Sequence, residues 1–181
     1  YRELRIICAM CQDYDGTSPA WRDFYRTTQA KLVYVVCSNT PAEVLRLRAD
    51  ADQPDMGLQS WPNRNIRKAD VGTSKNYLAD GEIKELNRLT TILLDIFEDQ
   101  ADIGRLTSMV QATELLDGQL SGLGRVVLRS GGSVSMTEAT RHAEREYEKF
   151  KAAQRQLRHD QADRDIAEIK AAQKALGKGR S

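Results

Sequence analysis

Lys75-Asn76-Tyr77 follows Arg67 and Lys68 closely in the chain. A lysine and an asparagine near a helix N-terminus, beside two more cations, are residue types that hold a phosphate: the amide dipoles and the charges act in the same direction. The same residues can equally form an exposed basic turn balanced by Asp70 and Glu82, and no glycine-rich phosphate loop is present to separate the readings. Gln29 and Lys31 are further polar groups inside an apolar stretch. Arg48-Ala49-Asp50 reads as the last turn of a helix, with Arg48 complementing the negative end of the macrodipole and Asp50 accepting from loop amides. That structural role outweighs ligand binding, because helix ends need such partners in any case. The candidate anion- or ligand-binding residues are thus Gln29, Lys31, Arg48, Asp50, Arg67, Lys68, Lys75 and Asn76. No catalytic residue is identified.

Other constellations are weaker. Asp95, Glu98 and Asp99 share a helix face and could bind a divalent ion or act as acid and base, but a charge cluster on a helix is more simply a solvated one that pairs with neighbouring cations. Cys8 and Cys11 form C-A-M-C without a second such pair, and His142 and His159 lie far off, so zinc's usual four ligands are not assembled. The pair is read as two small residues facing the core. An odd cysteine count of 3 fits a reducing compartment. His142 falls on an apolar face with Ala139, Ala143 and Tyr147 and reads as a satisfied core histidine. No Ser-His-Asp or Cys-His arrangement can be assembled. No metal and no cofactor are expected.

The elements that must position these groups are helical. Trp21, Phe24, Thr28, Lys31, Leu32 and Val35 form one stripe of a helix opened by Ser18-Pro19 and ending near Cys37-Ser38-Asn39. Leu4, Ile7, Cys8 and Cys11 keep helical spacing before it, which suggests a start in mid-helix and a chain cut from a longer one. Thr40-Pro41-Ala42-Glu43 is a capping box with proline at the first helical position, opening a helix to about Asp50. Asp70 is expected to cap a short helix over Val71 to Leu78, and Asp80 a long one carrying Ile83, Leu86, Thr90, Leu93 and Phe97, widened by Leu89, Leu94 and Ile96. Thr107 opens another, with Met109, Val110, Thr113, Leu116 and Leu120 on its face and Gly118, Gly122 and Gly124 as breaks. Val126-Val127-Leu128 is a short strand or a buried loop. Ser135-Met136-Thr137-Glu138 is a second capping box, opening a helix through Phe150.

Between Ala51 and Asn65 lies a stretch without helical period, and loops of about 15 residues are uncommon and often functional. It contains Met56, Leu58 and Trp61 between Pro54 and Pro62; these three read as anchors that tack the loop onto the bundle and hold nearby ionic groups still. Trp61 is expected to be mostly buried. The fold class is therefore all-α: a multi-helix bundle of about five or six helices, with a long anchored loop and a basic helical C-terminal extension. Residues 1–150 form the domain, and 151–181 a charged tail, helical or partly disordered, with 8 Lys or Arg against 4 Asp or Glu. The net charge of +1 gives the whole molecule no bulk field for nucleic acid or anionic lipid. No apolar run approaches the about 18 residues of a membrane span.

The motifs "DYDGTSP" (13–19), "FYRTTQAKL" (24–32), "TPAEVLRLRADADQPDMGLQSW" (40–61), "RKADVGTSKNYLADGEIKELNRL" (67–89), "LDIFEDQA" (94–101) and "AEREYEKF" (143–150) together resemble the C-terminal domain of the virulence protein RhuM family. The resemblance implies a bacterial cytoplasmic protein and, ahead of this region, a domain of the kind found in phage antirepressor and DNA-binding proteins, which these residues do not include. It does not imply a settled activity. Family members tend to carry Asn and His where this chain has Ala30 and Val33, and a Gly-His pair where it has Cys37-Ser38-Asn39, so a site built on those polar groups would be lost here. The Fic motif HPFxxGNxR occurs nowhere. The expected function is a helical interaction or effector module of a bacterial, virulence-associated, DNA-binding regulatory protein. The alternative is an enzyme acting on a nucleotide or nucleic-acid phosphate through a Lys/Arg/Asn anion site. Expected partners are a protein or a second copy, with nucleic acid reached through the missing N-terminal domain or the basic tail, and no membrane.

Overall fold

A computed structural model describes residues 6, 9–17, 19–105 and 108–178, with helical side chains as far as residue 173. Among the described residues six α-helices carry the fold: α1 (Pro19–Cys37), α2 (Pro41–Arg48), α3 (Lys68–Val71), α4 (Asp80–Asp102), α5 (Met109–Gly122) and α6 (Met136–Lys178). Single 3-10 turns occupy Pro54–Gly57 and Ser74–Tyr77. The class is all-α, as the periodicity implies; among the described residues there is no strand, and Val126 is exposed in an irregular segment. No helix among the described residues is long and apolar enough to cross a membrane. The expected helix over Leu4, Ile7 and Cys8, the Ser18 cap and the Thr107 start lie outside the described residues.

α2 lies chiefly against α6, and α1 against α4 and α5. Ala139 and Ala143 of α6 are fully buried, as are Val44 and Leu45 of α2, so small residues on one helix admit bulkier ones on the other. On α4, Leu86, Leu89, Leu93 and Phe97 are buried at spacings of three and four. Both capping boxes form: Glu43 N donates to Thr40 Oγ1 (3.3 Å) while Thr40 N donates to Glu43 Oε2 (2.8 Å), and Ser135 and Glu138 repeat the exchange.

Several boundaries differ from the sequence reading. α2 ends at Arg48, where the Ala49 amide returns to Leu45. Val71–Leu78 is not one helix: Asp70 belongs to α3, accepting from Arg67 N (2.8 Å), and the chain breaks at Gly72 before the Ser74–Tyr77 turn. Asn76 holds that break together, its amide donating to the Asp70 carbonyl (2.9 Å). Ala79, not Asp80, is the N-cap of α4, and Glu82 accepts its amide (2.8 Å), so the anionic partner sits inside the first turn. Ser108 caps α5. On that helix Ala112 is buried where Val110 was expected, and Val110 is exposed; Gly118 continues the helix.

The stretch from Ala51 to Asn65 is held as its apolar residues suggest. Met56 is 0 % exposed, Leu58 is buried, and Trp61 is partly buried against the core. The chain turns by placing Asp55 and Met56 in the left-handed region (φ 52° and 60°). That conformation costs about 1–2 kcal/mol per residue, about 2–4 kcal/mol for the two, whereas burying the Met56 and Leu58 side chains stabilises by about 1.5–3 kcal/mol each, so the two burials together offset the strain. Gly57, at φ +77°, passes so close to α2 that a β-carbon there would lie 2.3 Å from the Arg48 carbonyl oxygen. Polar contacts fix the rest: Ala51 N to Glu146 Oε2 (3.1 Å), the His142 ring to the Ala49 carbonyl (3.0 Å), and the Gln59 amide to the Asn76 carbonyl (2.7 Å). His142 is therefore a satisfied, partly buried histidine.

α6 runs through residue 150 without a break, yet every residue from 152 to 173 is exposed. Its first part packs on α2 and α3, and the remainder stands away from the bundle as an arm.

Candidate functional site

The cleft arises where α1, the first turn of α2, the Thr73–Lys75 turn and the 128–136 segment meet, and it encloses about 950 Å³. On α1, Arg26, Gln29, Ala30 and Val33 follow the spacing of one helical face, which is why these four line it together. Arg129 and Val134 come from the irregular segment ahead of α6, and Lys75 from the turn after α3.

Lys31 stands at the edge of that face. Its side chain is 9 % exposed, and its ammonium donates to both oxygens of Asp117 on α5 (2.6 and 2.8 Å). A buried ammonium requires such a partner, since removing one member of a buried pair strands the other charge. Lys31 is thus a staple between α1 and α5 that also borders the cleft.

The 128–136 segment is held against α2 by Glu43. One carboxylate oxygen serves the capping box; the other accepts from Ser133 N (2.8 Å) and Ser133 Oγ (2.7 Å). The Ser133 amide, then the Thr40 amide and the Ser133 hydroxyl, hold the Glu43 carboxyl down to about 2. Gly132, at φ +81°, lets the segment come this close: a β-carbon there would lie 2.7 Å from Thr40 Cγ2.

Of the residues singled out from sequence, the structure brings Gln29, Lys31 and Lys75 to the cleft. Arg48 is elsewhere, its guanidinium bidentate on Glu82 (2.6 and 2.6 Å) and donating to the Tyr77 carbonyl (2.8 Å), which ties α2 to the start of α4. Asp50 accepts from the Asp52 amide (3.0 Å) and shapes the loop exit. Asn76 is spent on loop contacts at both its amide and its carbonyl. Arg67 is exposed at the α3 N-cap, and Lys68 pairs with Glu144 (3.3 Å) on α6. Neither borders the cleft. Ala30 and Val33 both line the cleft and make that part of its wall apolar.

Arg26, Asp117 and Arg129 were not singled out from sequence. Arg26 lies one turn before Gln29, a signal that could have found it. Asp117 and Arg129 carry none, because only the tertiary fold sets them against α1. Asp95, Glu98 and Asp99 are exposed, and among the described residues no group of three or more His, Cys, Asp or Glu is placed to hold a metal. Cys11 is buried, and burial followed by the Asp13 charge raises its thiol to about 11, the direction expected of an inert structural cysteine. Cys8, its neighbour in C-A-M-C, lies outside the described residues.

A family model described as the virulence protein RhuM family matches residues 1–158, ending inside α6. No curated protein and no solved structure matches the chain.

Proposed function

The chain belongs to the virulence protein RhuM family, and from that premise we propose that it is the helical interaction and effector module of a bacterial DNA-binding regulatory protein, assembling through the α6 arm with a second copy of itself. One observation carries this reading: a helix rooted in the core continues through residues 152–173 with every side chain exposed. Ala162, Ile166 and Ile169 fall at spacings of four and three along it, and Ile166 and Ile169 are 49 % and 58 % exposed. From Asp160 to Glu168 the arm carries four carboxylates, Asp160, Asp163, Asp165 and Glu168, against the one cation Arg164, and a basic stretch of Lys170, Lys174 and Lys178 follows in the sequence. An antiparallel pair centred on Ile169 sets the mainly acidic stretch of one copy opposite the basic stretch of the other, which favours that direction.

The competing reading, an enzyme using Lys31, Arg67, Lys75 and Asn76 on a phosphate, loses support from their placement. Lys31 and Lys75 meet at the cleft, while Arg67 lies apart and Asn76 is engaged in loop contacts. Sedimentation equilibrium of the wild-type chain and of Ile166→Asp/Ile169→Asp tests the proposal. A concentration-dependent dimer that becomes a folded monomer in the variant is expected. A wild-type chain that stays monomeric at the highest attainable concentration would refute it.

A further inference from the structure

We infer that the cleft between α1, the start of α2 and the 128–136 segment is a binding site for a small phosphorylated ligand of the nucleoside-phosphate class. The inference does not depend on the arm or on dimerisation.

Size admits such a ligand: about 950 Å³ lies at the upper end of the range typical of small-molecule sites. Charge points the same way. Among the described residues Arg26, Lys31, Lys75 and Arg129 border the cleft, and Asp117 is the carboxylate that lines it. Glu43 lies behind Thr40, and both its oxygens are committed to the Thr40 and Ser133 donors. The cations are not all spent internally. Among the described residues Arg26 pairs with Asp23 on the surface, where the two side chains are 79 % and 68 % exposed, so the guanidinium can turn inward at little cost. The Lys31 ammonium has three hydrogens and gives two to Asp117, leaving one further donor.

The remaining wall is apolar or hydroxylic. Ala30, Leu128 and Val134 offer a partly exposed apolar surface for a flat ring, and Ser74 and Ser130 also line the cleft as neutral donors. A cationic rim over an apolar wall suits a molecule with a phosphate at one end and a base at the other. A bare inorganic anion would leave the apolar wall wet, and a long nucleic acid would need a basic track extending beyond one pocket.

The test is thermal unfolding of the whole chain with ATP, AMP, adenosine, inorganic pyrophosphate or a short single-stranded oligonucleotide. ATP or AMP is expected to raise the melting temperature by about 5 °C at a hundredfold excess over Kd, and adenosine and pyrophosphate by clearly less. Two variants act on different properties of the cleft: Arg26→Glu/Arg129→Glu reverses charge at its edge, and Ala30→Trp fills it. Each is expected to abolish the nucleotide shift while retaining cooperative unfolding. No shift with any probe overturns the inference, as does an equal shift in the charge-reversed variant. A shift from the oligonucleotide without one from the mononucleotides also overturns it and assigns the charge to nucleic acid.

Discussion

Arg48 was read from sequence as a helix-end cation and candidate ligand; the structure makes it a clamp, and the clamp can be weighed. Its guanidinium donates twice to Glu82 and once to the Tyr77 carbonyl, so it joins α2, the Ser74–Tyr77 turn and α4. Hydrogen bonds to a charged group contribute about 1.5–3 kcal/mol, and breaking a fully buried pair costs about 3–5 kcal/mol. Here the side chains are 29 % and 20 % exposed, so water partly screens the pair. With that discount Arg48→Ala should cost about 2 kcal/mol, lowering the melting temperature by about 4–8 °C for a chain of this size. Urea unfolding of Arg48→Ala, Glu82→Gln and the double variant, followed by circular dichroism, should give a coupling energy of about 1–2 kcal/mol. The pH dependence checks the cause. Arg48 holds the Glu82 carboxyl below the usual range, aided by the Ala79 amide and opposed by burial. A lowered folded-state pKa stabilises above the unfolded value of about 4.3, and that stability is lost as pH falls through the folded value. The Arg48→Ala penalty should therefore shrink below about pH 4. Additive single variants, with coupling under about 0.5 kcal/mol, would show that the clamp is decorative and the reasoning wrong.

Gly57→Ala should destabilise by more than the about 1 kcal/mol of an unfavourable φ, because its β-carbon would meet a backbone carbonyl oxygen that cannot move aside; urea unfolding reads this directly. Met56→Ala should cost about 2–5 kcal/mol, since the side chain is 0 % exposed, and in Trp21→Phe the remaining Trp61 emission should stay blue of a fully hydrated indole. Ser133→Ala removes only the hydroxyl donor and keeps the Ser133 and Thr40 amides, so the Glu43 carboxyl should rise only part of the way from about 2, seen in a carboxyl-detected NMR titration. Because that folded value is depressed, the Glu43 contribution is present above about pH 4.3 and lost as pH falls toward 2, so wild type and Ser133→Ala should converge in stability in acid.

What could be read without coordinates is what neighbouring residues decide among themselves. The Thr40-Glu43 and Ser135-Glu138 boxes, the stripe from Phe24 to Leu32 and the α4 stripe of Leu86, Leu93 and Phe97 all follow from one turn of helix, and all are present. Met56 and Leu58 could be recognised as anchors because large apolar groups in a helix-breaking stretch have nowhere favourable to go but inward. Where the structure differs from local pattern, a neighbour competes: Glu82 rather than Asp80 takes the Ala79 amide, and Asn76 with Gly72 breaks the expected Val71–Leu78 helix. The cleft was decided by tertiary structure. Lys31 meets Asp117 across 86 residues, Glu43 meets Ser133 across 90, and Arg48 finds Glu82 across 34. An isolated cation in a sequence does not reveal whether it will face water, a ligand or a carboxylate. Coulomb attraction acts on distance in space, and the distance is set only once the apolar faces of all the helices have found one another.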